Sequence, residues 1–207
     1  MLIGYGCQQV PSDWHVDEKS ACGYVRVYDI YSGQVWYQDA VGKTKLSSGS
    51  ICLFPSSAPF RILHNPEDPL ICTHLHLDIA PSLLPRLQML TPPAESVLRG
   101  LFNAVRAAVL SFDHQMLALL AGVFEHYCLR EGLFEQPEGE LARVMSLLSQ
   151  DCRREWTLEE MSAMAGYTES YFIRLFRSRT GISPYQYLIR CRMKEAVRLM
   201  QDTALTY

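Results

Sequence analysis

Aromatic, imidazole and guanidinium side chains in the first 80 residues are of the types that line small-molecule pockets. His74 and His76 are two residues apart, so an extended strand would place both rings on the same side. Such a pocket needs apolar walls and a few polar groups that orient the ligand. The candidate ligand-binding residues are Trp14, Tyr24, Arg26, Tyr28, Trp36, His64, His74 and His76.

The histidines also allow a metal-binding interpretation, because the imidazole side chain commonly coordinates metal ions. However, the pair His74 and His76, even with His64, lacks further acidic and histidine residues in a recognisable metal-ligand spacing. The sequence therefore favours a pocket without a metal, and no cofactor is expected.

A second set of side chains, near the C-terminus, is basic. The net charge of −3 would disfavour a nucleic-acid partner if it were spread evenly. It is uneven: residues 1–136 contain 9 Lys and Arg against 13 Asp and Glu. Residues 171–198 contain one acid, Glu195, and the basic residues Arg174, Arg177, Arg179, Arg190, Arg192, Lys194 and Arg198. This local charge indicates contact with phosphate groups.

The elements that position both sets follow from periodicity. Short β-branched and aromatic segments between turn signals predict an antiparallel sandwich or barrel with strands at 24–31, 34–38, 50–54, 60–64 and 71–79. Helical spacing follows in the stretches 83–90, 97–109 and 116–127, which predicts two or three amphipathic helices.

The chain length of 207 residues fits two small domains. Periodicity lapses around Pro137 and Gly139, where we place the boundary between domains 1–136 and 137–207. The expected fold class is α+β, with a β-barrel and flanking helices followed by an all-α domain.

Residues 156–181 predict a helix-turn-helix. Thr157 and Glu160 form a capping arrangement for a helix that begins at Leu158, and Gly166 supplies the sharp turn. Thr168 caps a second helix with the buried stripe Phe172, Leu175 and Phe176 and the outward residues Glu169, Ser170, Ile173, Arg174, Arg177 and Ser178. This geometry places a recognition helix in the major groove. There Arg174 can pair with guanine, while Arg177 and Arg179 hold phosphates.

The same stretch strongly resembles AraC-type transcriptional regulators of the AraC/XylS family. The resemblance is carried by residues 158–161, 165–168, 171–172, 174–177, 181–184, Tyr187, 192–193, Ala196 and Leu199. It implies that Ser170, Ile173 and Arg174 occupy base-reading positions, where Ile173 could touch a thymine methyl. It also implies that 184–201 is a linker helix and that 202–207 runs into a second unit. We therefore expect only the first helix-turn-helix and the linker in this truncated chain.

The resemblance extends more loosely to the N-terminal half, through Gly33, residues 46–55 and the strand with His74 and His76. It implies a cupin-like effector-binding barrel, and helices between 83 and 129 that pair two subunits. Ser32 stands at the family's sugar-gripping arginine position, so arabinose is not carried over as the effector.

The expected function is sequence-specific transcription regulation in response to an effector, without enzymatic activity. The expected partners are double-stranded DNA, a sugar or other small metabolite and a second copy of the chain, with RNA polymerase left open. No apolar run spans a bilayer, no signal peptide is recognised and the seven cysteines are scattered, so a cytoplasmic location is expected and no membrane partner. The alternatives are a cupin-type metalloenzyme and a truncated regulator that acts through dimerisation.

Overall fold

The structure, a computed structural model, describes residues 1–202, except for the side chains of 198, 201 and 202. Residues 203–207, where most of the expected run into a second unit falls, lie outside the described residues. The chain divides into two compact units, Met1–Glu135 and Gln136–Tyr207. Among the described helices, none is long and apolar enough to cross a membrane.

The strands described in the N-terminal unit form two antiparallel sheets. The five-stranded sheet has the order β1-β8-β3-β6-β9 and the four-stranded sheet the order β2-β7-β4-β5. The strands are β1 Leu2–Gln9, β2 Val16–Glu18, β3 Val25–Ser32, β4 Val35–Gln38, β5 Lys43–Leu46, β6 Ile51–Phe54, β7 Phe60–His64, β8 Ile71–Leu77 and β9 Gln88–Leu90.

Alternation along the strands gives the five-stranded sheet two buried faces. Tyr28 and Ile30 of β3 point into a core shared with the four-stranded sheet. Val25 and Val27 of the same strand point to the other side. That side packs against α1 (Val97–Leu110) and α2 (His114–Arg130) through residues such as Phe102 and Phe124.

A buried ion pair fixes helix α1 to strand β3. The Asp29 side chain is 1% exposed, and its Oδ1 accepts a hydrogen bond of 2.7 Å from Arg99 Nη1. Arg99 Nη2 donates to the Gly49 carbonyl at 2.7 Å. Because the carboxylate is out of water, the arginine is its main source of compensation.

The C-terminal unit is helical throughout its described elements, which are α3 Gly139–Gln150, α4 Leu158–Met164, α5 Glu169–Thr180 and α6 Pro184–Asp202. Phe172, Phe176 and Tyr187 are buried, with the ring of Phe176 lying 5.5 Å from that of Tyr187. Arg192 of α6 donates to the Cys152 and Arg154 carbonyls at 2.8 and 3.0 Å. Arg192 therefore anchors α6 to the segment between α3 and α4.

The predicted α+β class is confirmed, and the five predicted strands correspond to β3, β4, β6, β7 and β8. The prediction of helix in 83–90 is wrong. Leu83 forms an isolated bridge with Glu135, and Gln88–Leu90 is strand β9, paired with β6. Leu84, whose spacing suggested a helix, is fully buried in the core beneath α1 and α2. Sheet pairing and burial determine the conformation of this segment, because a short apolar run fits both the helical and the strand period.

Candidate functional sites in the two units

The first helix of the helix-turn-helix begins with a capping box, as predicted. Thr157 Oγ1 accepts from the Glu160 backbone N–H at 3.1 Å, and Glu160 Oε2 accepts from the Thr157 N–H at 3.0 Å. The hydrogen bond from Thr157 lowers the pKa of Glu160, and Arg154 adds to this effect. The start of α4 is therefore held by two reciprocal hydrogen bonds.

The turn between α4 and α5 needs a residue without a Cβ atom. Gly166 has a φ of +71°, in the left-handed region, and its N–H donates to the Ala163 carbonyl at 3.0 Å. Thr168 occupies the N-cap position of α5, but its side chain makes no capping hydrogen bond within the described contacts. That part of the capping prediction is wrong, whereas the predicted start of α5 is confirmed.

Helix α5 buries one side and exposes the other. Phe172 and Phe176 are 0% exposed, and Leu175 is only partly buried because it lies at the edge of the stripe. The predicted DNA-facing residues are all exposed: Ser170, Ile173, Arg174, Arg177 and Arg179. Within the described part of the chain, no carboxylate lies at ion-pair distance from these three arginines. Their charges are therefore available to an external anion.

The interior of the N-terminal unit contains a polar group of side chains around Arg26. Arg26 Nη1 lies 3.1 Å from Nε2 of His76. Since a guanidinium only donates, that imidazole nitrogen accepts and carries no proton. The ring of His76 lies 5.3 Å from the rings of both His74 and Tyr24. Residues from β3, β8 and the segment before β3 thus meet at one place.

Two glycines of β1 leave room for the histidines. Gly4 is paired with His76 and Gly6 with His74 across β1 and β8. A Cβ atom on Gly6 would lie 2.6 Å from Cε1 of His74, and one on Gly4 would lie 3.1 Å from Nδ1 of His76. The rings therefore occupy space that side chains on β1 would otherwise fill.

Aromatic contacts continue from this polar group. The ring of Tyr28 lies 6.0 Å from His74 and 6.3 Å from Trp14. Trp14 in turn lies 5.8 Å from His64. Both ring nitrogens of His64 are buried and have no hydrogen-bond partner among the described residues. We call the connected set Trp14, Tyr24, Arg26, Tyr28, His64, His74 and His76 the interior cluster.

The electrostatics of the interior cluster favour neutral imidazoles at His74 and His76. Desolvation lowers the pKa of His74, and the positive charge of Arg26 lowers it further. The same two causes, with a contribution from His74, lower the pKa of His76 to about 4. Burial also raises the pKa of the Tyr28 hydroxyl. At neutral pH, Arg26 is therefore charged, and the imidazoles of His74 and His76 beside it are neutral.

Comparisons with known proteins agree with the helix-turn-helix geometry. A family described as a helix-turn-helix domain matches residues 161–207. A probable transcriptional regulator, LumQ of Photobacterium leiognathi, is 25% identical over 185 residues, which cover 78% of this chain and 71% of LumQ. An uncharacterized HTH-type transcriptional regulator of Haemophilus influenzae is 23% identical over 132 residues, which cover 63% of this chain and 43% of the relative.

These similarities support an AraC-type transcriptional regulator.

The two-unit architecture is also that of a solved structure. The unsaturated fatty acid bound wild-type ToxT of Vibrio cholerae strain SCE256 matches with a TM-score of 0.53 and 10% identity. The match covers 100% of this chain and 83% of ToxT. At this identity the likeness shows the fold alone.

Sequence reasoning missed one charged residue at the interior cluster. Glu18 of β2 forms an ion pair with Arg26 Nη2, and the two side chains are only 21% and 14% exposed. Strand β2 has three residues, which is too short for an alternation signal. Glu18 was therefore indistinguishable in the sequence from an acid on a solvated loop.

One of the predicted ligand-binding residues does not join the interior cluster. Trp36 lies between the inward residues Val35 and Tyr37 of β4, so its ring is on the opposite face of the sheet. There Lys43 Nζ lies 4.7 Å from the ring centroid. In the part of the chain that the structure describes, no three His, Cys, Asp or Glu side chains are arranged to hold a metal ion.

Proposed function

We propose that this AraC-type regulator reads specific double-stranded DNA sequences with helix α5, and that a small molecule bound at the interior cluster changes this binding. The observation that carries the proposal is the fixed helix-turn-helix with an exposed arginine face. Phe172 and Phe176 hold α5 from behind, and Arg174, Arg177 and Arg179 extend away from the core.

The outward residues of α5 divide into two roles. Arg174 lies one turn after Ser170 and pairs with the O6 and N7 atoms of a guanine, while Ile173 contacts a thymine methyl group. Arg177 and Arg179 are nearer the C-terminal end of the helix and hold phosphates, which fixes the register of the helix in the groove. Base contacts therefore set specificity, and phosphate contacts set affinity.

Effector binding is supported by the composition of the interior cluster. It combines one charged group, three imidazoles and three aromatic rings, the mixture expected of a small-molecule site. The ring nitrogens of His64 are buried without hydrogen-bond partners among the described residues. Leaving such groups unpaired costs free energy, so a ligand that bonded to them would be stabilised. A small-molecule complex of the same fold, the fatty acid bound ToxT, supports effector binding by a protein of this fold.

Dimerisation is supported by the surface of α2. Its buried residues Leu117, Ala121 and Phe124 pack against the sheet. Met116, Leu119 and Val123 form a separate apolar stripe and are 46%, 66% and 56% exposed. A second copy of this stripe is the self-complementary partner that a two-fold dimer requires.

The DNA proposal is tested by selecting bound duplexes from a random pool and measuring affinities for the enriched site. Arg174→Ala should weaken binding by about 5- to 150-fold and relax the preference at one base pair, since a bidentate contact contributes about 1–3 kcal/mol. Arg130→Ala is the matched control, because Arg130 is an exposed arginine outside the helix-turn-helix. Equal affinities of Arg174→Ala and the original chain would refute the assigned base contact.

The effector proposal is tested by a thermal-shift screen of small metabolites, followed by DNA-binding measurements with each stabilising compound. A true effector should stabilise the chain, change its affinity for the selected site and lose its effect in His74→Ala. His15→Ala is the control, since His15 is exposed and lies outside the interior cluster. Compounds that act equally on both variants would place the effector elsewhere.

The dimer proposal is tested by sedimentation equilibrium. Leu119→Glu should convert the dimer to a monomer, because two carboxylates would meet at the seam. Ala118→Glu is the control, as this exposed position lies on another side of α2. A dimer that survives Leu119→Glu would show that α2 is not the seam.

A further inference from the structure

Arg26 has a single anionic partner and an unused donor. Its Nη2 is paired with Glu18 and its Nη1 contacts His76, whereas its Nε is buried without a hydrogen-bond partner among the described residues. A guanidinium binds a carboxylate best through two parallel N–H donors. The observed arrangement leaves part of that capacity unsatisfied.

Charge balance limits what can bind next to this group. The imidazoles beside Arg26 are neutral at pH 7, because burial and the arginine lower their pKa values. With Glu18 in place, the pair is electrically neutral. An anion added to a neutral, largely buried pair would remain uncompensated, which is unfavourable. An anion that replaced Glu18 would keep the balance.

From these observations, and resting on the effector function proposed above, we propose that the interior cluster binds a small molecule with a carboxylate group, and that this carboxylate displaces Glu18 from Arg26. The ligand carboxylate takes Nη2, which Glu18 leaves, together with the unused Nε. His76 Nε2 continues to accept from Nη1 of Arg26.

The Glu18 side chain has a second environment available when it leaves Arg26. It also lines an open cleft of about 240 Å³, whose other charged residues are Asp17, Lys19, Asp39 and Arg61. The displaced carboxylate therefore remains near solvent, in a cleft that contains both acidic and basic side chains. The exchange substitutes one ion pair for another instead of breaking one without replacement.

The exchange would also change the structure around the site. Glu18 belongs to β2 in the four-stranded sheet, and Arg26 belongs to β3 in the five-stranded sheet. Their ion pair therefore links the two sheets across the loop from β2 to β3. Strand β2 has three residues and pairs only with β7 among the described strands. Loss of the ion pair should loosen residues 16–24, so ligand binding would change the structure of this segment.

The rest of the ligand should be apolar or aromatic. Away from Arg26, the cluster continues through Tyr28 and Trp14 to His64, and the rings of Phe54 and Tyr28 lie 5.0 Å apart. Aromatic walls of this kind favour a hydrocarbon or ring attached to the carboxylate.

The test is isothermal titration calorimetry of the full chain with two matched pairs of probes, phenylacetate with phenylacetamide and hexanoate with hexanamide. Each pair has the same shape and differs in charge. At least one acid should bind, and its amide should bind roughly tenfold more weakly. Glu18→Gln should increase the affinity for the acid by about tenfold, since the internal competitor is gone. Arg26→Gln should remove the preference for the acid.

Arg130→Gln and Glu131→Gln are the matched controls, because these residues form an exposed ion pair outside the cluster. Hydrogen exchange provides a second readout: the bound acid should increase exchange in residues 16–24 of the original chain. Circular dichroism melts identify any variant that fails to fold, and Glu18→Gln, which retains the shape of the side chain, keeps the test decisive if Arg26→Gln does not fold.

Three results would overturn the inference: equal affinities for an acid and its amide, no gain in affinity on Glu18→Gln, or no binding of either acid to Glu18→Gln. These results leave the effector function itself intact if neutral compounds from the metabolite screen still require His74. If the screen finds only compounds that ignore His74→Ala, the effector function fails instead. The two experiments therefore distinguish a wrong assignment of the ligand's carboxylate from a wrong assignment of the effector site.

Discussion

Replacement of Arg99 by methionine tests how strongly helix α1 is fastened to the sheet that carries the interior cluster. The variant keeps an unbranched side chain and removes both charged hydrogen bonds, to Asp29 Oδ1 and to the Gly49 carbonyl, each 2.7 Å long. The carboxylate of Asp29 would then remain buried without its counter-ion. Breaking a buried pair in this way costs about 3–5 kcal/mol, a large part of the 5–15 kcal/mol that typically stabilises a domain.

Hydrogen exchange of the β3 amides is the assay, because it reports the opening of the N-terminal unit separately from the helix-turn-helix. A loss of about 3–5 kcal/mol corresponds to a decrease in protection of roughly 100- to 5,000-fold. The double variant with Asp29→Val and Arg99→Met should recover most of this protection, because it leaves no buried charge. A single variant that loses less than about 1 kcal/mol, or a double variant that recovers nothing, would refute the assigned role of the pair.

Three further predictions concern the two sites. The free energy of unfolding should fall by about 1–2 kcal/mol, after allowance for partial exposure, as pH drops from about 6.5 to about 4. The reason is that His76 has its pKa near 4 in the folded chain, so the unfolded chain takes up the proton first. His76→Gln should remove this part of the loss in urea titrations at each pH. Gly6→Ala should lower the melting temperature because its Cβ meets His74, whereas Gly100→Ala, on an open face of α1, should stabilise by about 0.5–1 kcal/mol; equal shifts would contradict the packing argument. Arg177→Ala should weaken binding to all duplexes alike and reduce the salt slope of log K by about 1, and a change in sequence preference would show base contact instead.

The helix-turn-helix could be predicted almost completely because its signals are local. The capping box of Thr157 and Glu160 and the left-handed Gly166 each depend on residues within a few positions of one another. The outward placement of Arg174 follows from the helical period alone. The unmade capping hydrogen bond of Thr168 is the exception, since a side-chain rotamer is not determined by position along the chain.

For the N-terminal site, the sequence predicts the types of the residues, but only part of their positions in the fold. The strand bearing His74 and His76 has a clear alternation, so the two rings were expected on one side, as they are found. Trp36 shows the limit of this reasoning. An aromatic residue fits either face of a strand, and only the pairing of β4 between β5 and β7 decided that Val35 and Tyr37 point inward.

The sequence by itself determined the elements of the C-terminal unit, the α+β class and most of the side chains that form the interior cluster, because these depend on periodicities and caps within short segments. Tertiary structure alone decided which distant residues meet. Gly6 faces His74 across 68 positions, and Asp29 meets Arg99 across 70. Glu18 reaches Arg26 only because two sheets close over a shared core. Such contacts are set by burial of the whole apolar surface, which no local window of residues contains.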